Sequence, residues 1–103
     1  MTESDTLTQL QAWYAAQCNG EWEHHNHAFS IATSDNPAWN VIIGLTGTTA
    51  EGVQIPTFRS PDYLENDKDW VECRLSDDAS EFWGVGDPSK LRFLLDYFLR
   101  HVS

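Results

Sequence analysis

This sequence predicts an α+β fold, with an antiparallel sheet of four to five strands between an N-terminal and a C-terminal helix. Three observations carry the prediction. Apolar residues recur at helical spacing near both ends of the chain. Between Glu21 and Gly86 they alternate with period two and are rich in β-branched types. The length of 103 residues fits one domain, 1–103, burying roughly two-thirds of its unfolded surface. Five tryptophans, five phenylalanines and three tyrosines supply the apolar area for a core, so the acidity does not imply disorder.

The first helix opens at Thr6-Leu7-Thr8-Gln9, which matches a capping box: the Thr6 hydroxyl and Gln9 amide would satisfy orphan backbone donors. Leu10, Trp13, Tyr14 and Cys18 then share one face, and Asn19-Gly20 supplies the left-handed residue that stops the helix. Ala28–Thr33 alternates Phe29, Ile31 and Thr33 against small or polar residues and predicts a strand. Asp35-Asn36-Pro37-Ala38 is a turn, because Asx side chains cap the backbone and Pro37 presets one dihedral. Trp39–Thr46 is the next strand, closing a hairpin. After a Gly47–Gly52 loop, Val53–Arg59 predicts a third strand, which Pro56 restricts to an edge or a bulge.

Ser60–Asp69 is polar, acidic and broken by Pro61, hence a surface loop. Trp70–Leu75 and Glu81–Val85 predict two more strands, joined by Ser76-Asp77-Asp78-Ala79 and completing a meander. The last helix has Asp87 as N-cap and Pro88 in its first position. Leu91, Leu94, Leu95, Phe98 and Val102 form its apolar face, which Phe93, Tyr97 and Leu99 widen. Arg92, Asp96 and Arg100 make the polar strip, with Asp96 four residues from each arginine. A helix this apolar is covered on more than one side.

Sixteen Asp plus Glu against six Lys plus Arg leave a net charge of -10. Phosphate contact needs clustered cations, so neither nucleic acid nor an anionic membrane surface is an expected partner. A basic protein is the natural complement, although the same charge would serve solubility alone. Met1–Thr6 is polar and acidic, not the apolar stretch of a secretory leader, and no apolar run is long enough to cross a bilayer. With only Cys18 and Cys73, in no metal spacing, a cytoplasmic location with two free thiols is expected.

Each candidate site competes with a structural reading. His24, His25 and His27 are the metal suspects, since His25 and His27 would share a side of a strand; the competing reading is a polar run before a strand. Cys18 and Cys73 sit on apolar faces and read as small core residues, not nucleophiles. No GxSxG, GxGxxG or P-loop pattern is present, so neither a catalytic set nor a cofactor is expected. Glu21 with Glu23, and Asp67 with Asp69, would each share a side if extended, but acid–base work needs an apolar pocket to split their pKa values. Asp62, Glu65, Asp67 and Asp69 crowd one loop with Tyr63 and Trp70 interleaved, a composition suited to capturing Lys and Arg.

Cys18-Asn19-Gly20-Glu21-Trp22-Glu23-His24, Asp35-Asn36-Pro37-Ala38-Trp39 and Asp69-Trp70-Val71-Glu72-Cys73-Arg74 resemble bacterial immunity proteins of the immunity protein 53 family. Phe82-Trp83-Gly84-Val85-Gly86 and the closing helix are similar as well, so the likeness spans nearly the whole chain in order. The histidine-rich run Glu23–His27 and Ala38, where glycine is commoner, depart from the family pattern. The resemblance implies a cytoplasmic protein, encoded beside a polymorphic toxin, that protects its producer by binding that toxin. Glu21, Glu23, Asp62, Tyr63, Glu65, Asp67 and Asp69 are the expected contacts to a basic, nuclease-like cleft. Two alternatives belong to other classes: a small metal protein or enzyme using His24, His25 and His27, and a structural subunit forming a homodimer through the C-terminal helix.

Overall fold

The computed structural model describes residues 3–25, 29–60 and 68–102. In chain order the elements are α1 (Glu3–Gln17), α2 (Trp22–His25), β1 (Phe29–Ser34), β2 (Ala38–Gly44), β3 (Phe58–Arg59), β4 (Val71–Leu75), β5 (Glu81–Gly86) and α3 (Leu91–Val102). The α+β class and the helix at each end are as the sequence predicts.

α1 begins upstream of the predicted capping box, so Thr6 lies inside the helix. Its hydroxyl donates to Asp96 Oδ1 at 2.7 Å and ties α1 to α3. Asp5, in the first turn, complements the positive end of the helix dipole. Leu10 and Trp13 are buried as expected, but the next buried position is Gln17 and not Cys18. The Gln17 amide donates to Trp13 O and Thr49 Oγ1 and accepts from Thr49 N, so a polar side chain holds that position without an unmet bond. Cys18 follows the helix and is exposed, which corrects its reading as a core residue. Gly20, at φ +89°, provides the left-handed stop.

The five strands are ordered β1-β2-β5-β4-β3 and every pair is antiparallel. The β1–β2 hairpin forms with Phe29 opposite Ile43 and Ser34 opposite Ala38. The remaining strands do not continue it as a simple meander, because β5 returns to lie between β2 and β4. The chain after β2 leaves the sheet and buries Leu45, Ala50 and Ile55 in the core, and Pro56 O accepts from the Tyr97 hydroxyl. That connection leads to the far edge, so the place beside β2 is open to β5. The predicted strand Val53–Arg59 accordingly contracts to Phe58–Arg59: Ile55 is spent on the core and Pro56 has no N–H for a ladder. Its position at the edge is as expected.

One face of the sheet carries Val41, Ile43, Val71, Cys73 and Phe82, all buried, against Leu94, Leu95 and Phe98 of α3. Trp13 of α1 meets Phe98 edge-on with centroids 5.0 Å apart. Gly84 and Gly86 also lie on this face, where α3 approaches too closely for a side chain. A Cβ at Gly84 would stand 2.9 Å from Leu94 Cδ2, and one at Gly86 2.7 Å from Lys90 Cβ. α3 starts a turn later than the predicted N-cap: Lys90 N donates to Asp87 O at 3.0 Å, and the first helical bond runs from Leu94 N to Lys90 O. Asp87 therefore caps the preceding turn, not the helix itself. No helix among the described residues is long and apolar enough to cross a membrane.

Candidate functional site

The motif around Glu21 and Glu23 is a helix-starting device. Asn19 Oδ1 accepts from the backbone N–H groups of Glu21 and Trp22, at 2.9 and 3.1 Å. Glu23 reaches back, its two carboxylate oxygens accepting from Asn19 N at 3.0 Å and Gly20 N at 2.8 Å. This reciprocal box nucleates α2, which period-two reading of the segment does not foresee. Its product is a buried Trp22, edge-on to Trp13 and to Tyr14. Glu21 remains exposed to solvent. The carboxylates thus leave the shared extended side that the sequence alone suggests.

Asp69 belongs to a second polar cluster. Lys90 Nζ donates to Asp69 Oδ1 at 2.6 Å and to Asp87 Oδ2 at 2.8 Å. Asp87 is 1 % exposed and also accepts from Trp70 N, Ser89 N and the Ser89 hydroxyl. Burial pushes the Asp87 carboxyl up, but the bonds from Lys90, Ser89 and Trp70 outweigh it and leave it far below the ordinary carboxylate value. Asp69, and after it Asp87, hold the Lys90 ammonium in its charged form. This cluster fastens the approach to β4 onto the start of α3, with the Asp69 side chain still open to solvent. The other loop candidates, Asp62, Tyr63, Glu65 and Asp67, lie outside the described residues.

His24 and His25 close α2 instead of entering a strand, and His27 lies outside the described residues. Among the described residues no group of three or more His, Cys, Asp or Glu is placed to hold a metal. His101 Nδ1 lies 2.8 Å from Tyr97 O on the last turn of α3. Cys73 is fully buried, and burial, aided by the charge of Glu72, pushes its thiol up to about 12. It stays protonated and unreactive at neutral pH. α3 spends Leu94, Leu95, Tyr97, Phe98 and Leu99 on the interior, which leaves Phe93, 37 % exposed, as the main apolar side chain it shows to solvent.

What sequence reasoning missed is the face of the sheet turned away from the helices. Register places Ile42, Trp83 and Arg74 in one row across β2, β5 and β4, with Asn40, Val85 and Glu72 in the next. Ile42 and Trp83 are each 36 % exposed. The Arg74 guanidinium sits 4.7 Å over the Trp83 ring, and the Trp83 indole N–H donates to Glu81 Oε1 at 2.8 Å. Arg74 also pairs with Asp77 at 3.5 Å, while Glu72 pairs with Arg59 Nε at 3.0 Å. Asp78 accepts from the Ser80 and Ser76 hydroxyls and Ser80 N, and these bonds hold its carboxyl below the ordinary value. The signal was present in Glu81-Phe82-Trp83-Gly84-Val85-Gly86. If the glycines face a close helix, the large Trp83 and Val85 must face outward.

The family model described as immunity protein 53 matches residues 7–103, nearly the whole chain. No curated protein and no solved structure matches it.

Proposed function

The chain belongs to the immunity protein 53 family, which implies an immunity protein acting against a toxin; on that premise we propose that it binds and neutralises its cognate toxin by covering a basic, nuclease-like active site with an acidic surface. The observation that carries this reading is the charge balance: sixteen carboxylates stand against six Lys and Arg in a chain of 103 residues. Carboxylates imitate the charge of phosphates that such a cleft would bind, and opposed potentials speed encounter and reject wrong partners. Glu21, Glu23 and Asp69, with Asp62, Tyr63, Glu65 and Asp67 of the adjoining segment, contribute to that surface. No bond is made or broken, no metal or cofactor takes part, and the complex forms in the cytoplasm of the producing cell.

Co-expression tests the reading. Production of the toxin encoded beside this chain arrests growth, and simultaneous production of the chain restores it. Reversal of Asp62, Glu65, Asp67 and Asp69 to lysine weakens the rescue. Growth arrest that persists with the wild-type chain present would overturn the proposal.

A further inference from the structure

Among the described residues the helices pack on one face of the sheet, and its other face has the anatomy of a docking surface. Its centre is apolar: Ile42 and Trp83 stand opposite each other in the β2–β5 register and are each 36 % exposed. Its rim carries more carboxylates than cations: Glu81 beside Trp83, Asp77 and Asp78 on the adjoining turn and Glu72, against Arg74 and Arg59. An apolar, aromatic centre within a polar rim is the arrangement in which a few residues dominate binding.

The occupant is set by charge and by Arg74. A guanidinium already lies 4.7 Å over the Trp83 ring, so the ring and its neighbouring carboxylates form a seat that accepts a cation. A second copy of the chain would bring another net charge of -10 and an identical anionic rim to the same place. A cationic partner meets the rim with opposite charge instead. We propose that this open face, centred on Trp83 and Ile42, is where the toxin docks, placing an Arg or Lys side chain on the Trp83 ring in exchange with Arg74 and against Glu81. The proposal rests on the immunity reading above and adds to the acidic contacts named there a separate, aromatic-centred contact and the chemistry of the toxin segment that meets it.

The test is calorimetric titration of the chain with the toxin domain encoded beside it, held inactive by an active-site substitution. Ile42→Lys and Trp83→Thr are compared with wild type, after circular dichroism has confirmed their folding. Each variant weakens binding by about 30-fold or more, the loss that marks a dominant contact. In wild type, the Trp83 indole N–H resonance shifts on toxin addition, a reading that does not depend on either variant folding. Tight wild-type binding with both variants within about twofold of wild type, or with an unmoved indole resonance, overturns the docking face and leaves the immunity reading standing. No wild-type binding at all removes that reading, and this proposal with it. A dimer in sedimentation that Ile42→Lys dissociates while toxin binding is intact would assign the face to a second copy, and so also overturns it.

Discussion

Replacing Asp87 by alanine separates two accounts of the same residue. If Asp87 were only a helix cap, its loss would cost about 1 kcal/mol. In the structure it accepts from Trp70 N, Ser89 N, the Ser89 hydroxyl and Lys90 Nζ while 1 % exposed. Removing one partner of a buried, hydrogen-bonded charge pair costs about 3–5 kcal/mol. Lys90 keeps Asp69 as a partner and 18 % of its side-chain exposure, so its charge is not orphaned and the lower end applies. Asp87→Ala is therefore expected to lose about 3 kcal/mol, read as the shift in urea midpoint by tryptophan fluorescence. The corresponding drop in Tm is about 12–24 °C for a domain of this size. The pH dependence has a defined sign. The folded carboxyl titrates below its unfolded value, so its stabilisation is complete above about pH 4 and is lost as pH falls through the folded value. The gap between wild type and variant is constant near neutrality and narrows in acid. A loss of about 1 kcal/mol or less, unchanged by acid, would refute the view of Asp87 as the clasp between β4 and α3.

Four further outcomes rest on single residues. Ala79 sits at φ 60° in the turn between β4 and β5, so Ala79→Gly relieves left-handed strain and raises stability by about 0.5–1 kcal/mol in urea unfolding. Thr6→Val removes the hydroxyl that bonds Asp96 and costs about 1 kcal/mol, whereas Gln9→Ala, at an exposed position, stays within about 0.5 kcal/mol; the reverse order would restore the capping box. Under native conditions a thiol reagent labels Cys18 alone, and Cys73 reacts only on unfolding. Because the folded Cys73 thiol is raised to about 12, stability is full below the unfolded thiol value and falls above about pH 9, by about 1.4 kcal/mol per pH unit, a limb absent in Cys73→Ser.

Much of the architecture is legible in the sequence because local pattern and tertiary structure agree. The β1–β2 hairpin is specified by Asp35-Asn36-Pro37 between alternating strands, and α3 by a broad apolar face that meets both the sheet and α1. The misreadings share a cause: a residue's partner lies far away in sequence. Thr6 reads as a cap until Asp96, 90 residues on, is placed beside it. The strand order is hidden because Ile55 and Pro56 carry the chain across the core, which alternation alone does not distinguish from a strand. At the candidate site the hidden partners are partly local. Glu23 and Asp69 are visible as charges, but their partners Asn19, Gly20 and Lys90 emerge only from the turn geometry. Trp83 reads as one aromatic of a family motif, and only the register that turns Gly84 and Gly86 toward α3 shows that it faces outward.

The claim on which the account turns is that this chain acts by electrostatic capture of a cationic toxin. Titrating the inactive toxin domain with the chain at ionic strengths from about 0.05 to 0.5 M, where screening of exposed charge becomes severe, measures it directly. A one-to-one complex whose association rate and affinity fall steadily with added salt is the predicted result. A complex of equal affinity at every salt concentration, or no complex at any of them, would contradict it.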